Sequence, residues 1–116
     1  MKQLIDRAAL LHATGEDHDL SLELLEIFIR TFAQDIETLD TALQTDDIQR
    51  ARHILHRIKG SLQILGVQTI TVQIDEVSKT LCAPIKVEDA KALAHLFECF
   101  QAIMEDAASI LDAGSL

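Results

Sequence analysis

The stretch IQRARHILHRIKGSLQIL, residues 48–65, decides the fold. Its residues Ile48, Ala51, Leu55, Ile58, Leu62 and Leu65 recur every three or four positions, which is the spacing of one face of an α-helix. The same spacing appears on either side of it. Leu25, Phe28, Phe32, Ile36, Leu39 and Leu43 form one seam, Val67, Ile70, Ile74, Val77 and Leu81 a second, and Leu93, Leu96, Phe100, Ile103, Ala107 and Ile110 a third. No segment shows the alternating, β-branched pattern of a strand bounded by turns.

Four seams of this kind predict an all-α protein, an antiparallel up-down four-helix bundle. The links between them are short. Thr45-Asp46-Asp47 supplies capping residues before the second long helix, Gly66 can close that helix in a left-handed conformation, and Pro84 keeps Ala83 out of helical geometry. Leu20, Leu24 and Ile27 lie off the first seam and would be wet in a bare bundle. Leu4, Ala8 and Leu11 repeat at helical spacing before Gly15, so a short additional N-terminal helix is expected to cover them. The chain of 116 residues reads as one domain, 1–116, with residues 113–116 as a frayed tail.

Charge narrows the function. Ten Lys and Arg against nineteen Asp and Glu leave a formal net charge of -9, which disfavours nucleic acid and anionic membrane and points to a protein partner. Met1-Lys2-Gln3-Leu4-Ile5-Asp6-Arg7 carries charges where a signal peptide needs an unbroken apolar run, and no segment approaches the roughly 18 apolar residues of a membrane span. A cytoplasmic monomer with no direct membrane contact is expected. Cys82 and Cys99 are read as reduced core residues without chemistry.

Within this acidic chain, residues 48–74 contain no Asp or Glu and carry Arg50, Arg52, Arg57 and Lys59. His56 sits inside that window. At 100° per residue it points roughly 140° away from the seam of its helix, into solvent. Gly60 falls one turn later on the same strip, flanked by Lys59 and Arg52 on the neighbouring rows. A glycine inside a helix costs about 0.5–1 kcal/mol relative to alanine, so it needs a reason, and steric access to the ring supplies one. A lone surface histidine is ordinarily solvated polar surface; the glycine, the lysine and the acid-free window argue against that reading here. Arg57 points another way and reads as an ordinary solvated charge.

Three other classes compete. His53 and His56 have an i, i+3 spacing that could chelate, but zinc needs at least a third protein ligand and the window supplies no carboxylate; His12, His18 and His95 are scattered. An adaptor that docks a partner without chemistry at the histidine would need the bundle but not His56, Lys59 and Gly60 together. A hydrolase using histidine as general base lacks a second catalytic group. Glycine occurs only at positions 15, 60, 66 and 114, so no glycine-rich loop can hold nucleotide phosphates, and autonomous ATP-dependent kinase activity is not expected.

His56-x-x-Lys59-Gly60-Ser61 followed by Leu65-Gly66 resembles the signature of histidine-containing phosphotransfer (HPt) domains, phosphorelay modules that pass phosphoryl groups between receiver aspartates. The resemblance covers most of the chain. It departs from the family at Leu62 and Gln63, where members often have small residues, and at Ser78, where many place a glutamine that helps fix the histidine. The resemblance implies that His56 accepts the phosphoryl group on its ε nitrogen, that Lys59 offsets the phosphoryl charge, and that Gly60 gives clearance. Arg52 and Gln63 are then candidate partner contacts. No cofactor is implied, since the assisting metal ion would sit on the receiver. The partners would be receiver domains, met either by a free-standing protein or by part of a hybrid sensor histidine kinase. An imidazole in water, with an ordinary pKa of about 6.5, is mostly neutral at pH 7 and has a lone pair able to attack phosphorus without an activating base.

Overall fold

The computed structural model describes residues 4–114 and residue 116. Five helices follow one another: α1 Arg7–Ala13, α2 His18–Gln44, α3 Ile48–Ile64, α4 Thr71–Thr80 and α5 Val87–Ala113. Helix α2 packs against α3 and α5, and α4 packs against the same two, so α2 to α5 close a four-helix ring in chain order with extents of 45 × 22 × 22 Å.

Aspartates start three of the helices. The carboxylates of Asp6, Asp17 and Asp47 accept the backbone N–H groups of Ala9, Leu20 and Arg50, satisfying donors that the first helical turn leaves unpaired. The α2–α3 turn is compact because Asp46 takes a left-handed conformation, φ 56°, and Asp47 both ends one helix and caps the next. Helix α3 ends in a Schellman motif, with Gly66 donating to the Gln63 carbonyl and Val67 to that of Leu62. Gly66 has φ +72°, and a Cβ there would lie 2.5 Å from Asp6 Cβ. That close approach is how α1 seats on the end of α3, where Asp6 also donates its N–H to the Leu65 carbonyl at 3.0 Å.

The α3 seam is confirmed: Ala51, Leu55, Ile58, Leu62 and Leu65 are buried and Ile48 half-buried, and Ile54 joins them. The α5 seam is buried throughout, and Phe32 of α2 meets Phe100 of α5 edge to face with ring centroids 5.4 Å apart. Ile36 and Leu43 of α2 are only half-buried. Val67, Ile70 and Leu81 are buried but lie outside α4, because the seam begins in the connector that leads into that helix and continues past its end.

The expected cover over Leu20, Leu24 and Ile27 is not there. Leu20 is 46% exposed, Ile27 51%, and Leu24 half-buried. The short helix exists, but it is drawn to the ends of α2 and α3: Thr14 Oγ1 lies 2.6 Å from Ser21 Oγ, and Asp106 of α5 accepts from the N–H groups of Leu4 and Ile5. Its phase also differs from the sequence reading, since Ile5 and Leu10 are buried while Ala8 is exposed. Of residues 113–116, Ala113 ends α5 and Gly114 is its left-handed cap; Ser115 lies outside the described residues, as do Met1, Lys2 and Gln3.

Candidate functional site

Helix α3 presents a ridge to solvent on which His53, His56, Gly60, Gln63 and Ile64 are all exposed. The ring of His56 therefore projects from the wall of the bundle, as the phase of the seam requires. One turn on, Gly60 is exposed and a Cβ built there meets nothing within 4 Å. The domain's own packing does not demand glycine at this point, and the helix would be more stable with alanine.

On the α4 side of the ridge, Lys59 departs from expectation. Its ammonium is paired with both carboxylate oxygens of Asp75, at 2.9 and 2.8 Å, and its side chain is 24% exposed. Sequence reasoning missed Asp75 because it stands one residue beyond the acid-free window; the turn between α3 and α4 folds it back beside the lysine. Arg52 is likewise engaged: its guanidinium donates to the carbonyls of Ser78 and Leu81, tying α3 to the last turn and C-cap of α4. It serves this helix contact first, whatever it offers a partner. The backbone of Ser78 is thus a fastening point for Arg52.

On the α2 side, Arg57 is not the free solvated charge expected from sequence. Its Nη2 lies 3.2 Å from Oδ1 of Asp35, a residue 5% exposed in the middle of α2. Burial pushes the Asp35 carboxyl above its ordinary value, and the Arg57 guanidinium opposes that rise. Beside this pair, Leu24, Ile27, Phe28, Thr31, Ser61, Ile64 and Leu65 line a shallow apolar groove between α2 and α3.

The remaining chemistry-bearing residues stand apart from His56. Cys82 and Cys99 are free and half-buried rather than core, and burial, then Glu98, pushes the Cys99 thiol up, away from the thiolate form. His12, His18 and His95 are exposed on other helices. Among the described residues no group of three or more His, Cys, Asp or Glu side chains is placed to hold a metal ion, and no helix is long and apolar enough to cross a membrane.

The Hpt domain family model matches residues 23–110, a span running from the first turns of α2 to the last turn of α5 and including the whole α3 ridge. The chain belongs to the Hpt domain family. No curated protein matches it. Among solved structures, the crystal structure of the HPT domain from the Hpt sensor hybrid histidine kinase from Shewanella superposes with a TM-score of 0.76 at 20% identity, covering 95% of each chain. At that identity the likeness speaks to the fold, and it extends the shared architecture of this Hpt domain to nearly its full length. In this Hpt domain the ridge of His56, Gly60 and Gln63 carries one ion pair on each flank, Arg57 with Asp35 and Lys59 with Asp75.

Proposed function

We propose that this Hpt domain is a phosphorelay intermediate: His56 accepts a phosphoryl group from a receiver-domain aspartyl phosphate and passes it to another receiver aspartate. The observation that carries this reading is the solvent-facing imidazole of His56 with open space over Gly60 one turn away. The ring lone pair forms the bond to phosphorus while the bond from phosphorus to the aspartate oxygen breaks, its electron pair returning to that oxygen. Such a loose, in-line transfer needs positioning and charge neutralisation more than covalent machinery, so a sparse site is adequate. The domain needs no cofactor of its own, and the metal ion that assists transfer is the receiver's.

The receiver docks over the α3 ridge, with the groove between α2 and α3 as the apolar centre of the contact. Ile27 and Ile64 are 51% and 53% exposed, more than an isolated bundle gains from, and apolar anchors at the centre of a polar rim are the ordinary anatomy of a protein interface. Gln63 stands on the ridge within that face. The domain acts as a monomer in the cytoplasm, where receivers reside.

Incubation with candidate phosphorylated receivers, followed by mass spectrometry under mildly alkaline conditions, tests function and partner together. The label is expected on His56 and lost in His56→Gln, with the helical circular dichroism of the variant unchanged. Acid-labile label retained by His56→Gln refutes the assignment.

A further inference from the structure

We propose that Asp75 is a positioning residue that competes with the phosphoryl group for Lys59 and so lowers the hold of the domain on its cargo; this rests on the reading of His56 as the phosphoryl acceptor. Lys59 follows His56 by one helical turn, and its ammonium is held by both oxygens of Asp75 from α4, sixteen residues further along the chain. An ammonium has three N–H donors, and two are committed to this carboxylate. The pair lies at the edge of water, with side chains 24% and 46% exposed, where ion pairs contribute little net stability and exchange partners readily. The other cations beside the ridge are committed elsewhere, Arg57 to Asp35 of α2 and Arg52 to the carbonyls of Ser78 and Leu81 at the end of α4.

A phosphoryl group on His56 brings about 1.5 to 2 negative charges at neutral pH, more than the single charge of a carboxylate, so it draws Lys59 by its third donor or by displacing Asp75. In either case the carboxylate draws the same ammonium away from the new charge. A domain that must surrender its phosphoryl group gains from this opposition: Lys59 stabilises the charged cargo, and Asp75 limits how far it does so.

The test uses phosphoramidate, a small phosphodonor, so that no receiver is needed. The lone pair on Nε2 of His56 forms the N–P bond as the donor's own P–N bond breaks, ammonia leaves with that electron pair, and Nδ1 keeps its proton. The readout is the pH midpoint at which the bound phosphoryl group passes from monoanion to dianion, followed by phosphorus NMR in the intact protein. A freed cation favours the dianion and lowers the midpoint. Asp75→Asn is expected to lower it by about half a pH unit, the scale of a single charge interaction screened by water. Asp75→Glu should restore the wild-type value, and Lys59→Ala should raise the midpoint.

The decisive comparison is Asp75→Asn in the Lys59→Ala background, where the shift is expected to shrink by half or more. An equal shift in both backgrounds makes Asp75 only a distant negative charge and overturns the proposal, as does no shift at all. Failure of His56 to take the phosphoryl group in every variant, wild type included, overturns the acceptor reading itself and the proposal with it.

Discussion

Asp35 sits under two opposing influences. Its carboxyl is buried in α2, which favours the neutral form, while Arg57 reaches over from α3 and favours the anion; burial is the larger effect, and the carboxyl titrates above its ordinary value of 3.8. Between 3.8 and that raised value the folded protein binds more protons than the unfolded chain, so the contribution of Asp35 to stability is full below the ordinary value and is lost as pH rises through the raised one. Asp35→Asn removes this dependence. Urea unfolding of both proteins at a series of pH values should show the variant gaining on wild type as pH climbs above 3.8, with the difference level at neutral pH. A difference that stays constant with pH would mean the carboxyl is not perturbed. None of this was legible in the sequence, where Asp35 is one acid among nineteen. Its partner sits on another helix, and the register between α2 and α3 follows from packing of the whole core, not from spacing along either helix. The same reason hid the match of Lys59 with Asp75. What one helix fixes by itself, the outward direction of His56, was legible because six apolar residues determine the phase of α3.

Helix α3 carries glycine in its interior, at Gly60, and nothing inside the domain requires it. A Cβ there meets open space, and the position is exposed. Alanine should therefore stabilise the helix by about 0.5–1 kcal/mol, through propensity alone. Chemical denaturation should show a higher midpoint for Gly60→Ala with an unchanged slope. The same variant should transfer phosphoryl groups from a receiver more slowly, and the bulkier Gly60→Leu more slowly still. A stabilised variant with undiminished transfer would remove the access role of the glycine. Gly66, by contrast, is bound to its conformation and to the close approach of Asp6, so the glycine inside α3 and the one just past its end answer to different demands. Sequence reading placed both correctly because each breaks a local rule, one in the middle of a helix and one at its end. It misjudged α1, whose seven residues are too few to fix a phase and whose position depends on capping contacts with Leu65, Ser21 and Asp106.

For the molecule as a whole, the net charge of -9 and the basic window look contradictory until the helices are assembled. Arg57 and Lys59 then each meet a carboxylate from a neighbouring helix, so the face around His56 is no bare cationic patch. What remains unsatisfied there is apolar. Ile27 on α2 and Ile64 on α3, which line one groove, are about half exposed, and sequence reasoning expected Ile27 to be covered because it counted every apolar row as structural. Nothing among the described residues covers them. Replacing Ile27 and Ile64 together by serine should leave stability within about 1 kcal/mol, since neither side chain is enclosed. Transfer from a phosphorylated receiver at limiting concentration should fall at least tenfold, as expected when apolar anchors worth about 1.4 kcal/mol or more are removed from an interface. Phosphorylation of His56 by phosphoramidate, which needs no docking surface, should proceed at the wild-type rate. Equal losses in both reactions would place the damage in the histidine's own surroundings, and no loss in either would move the receiver to another face of the bundle.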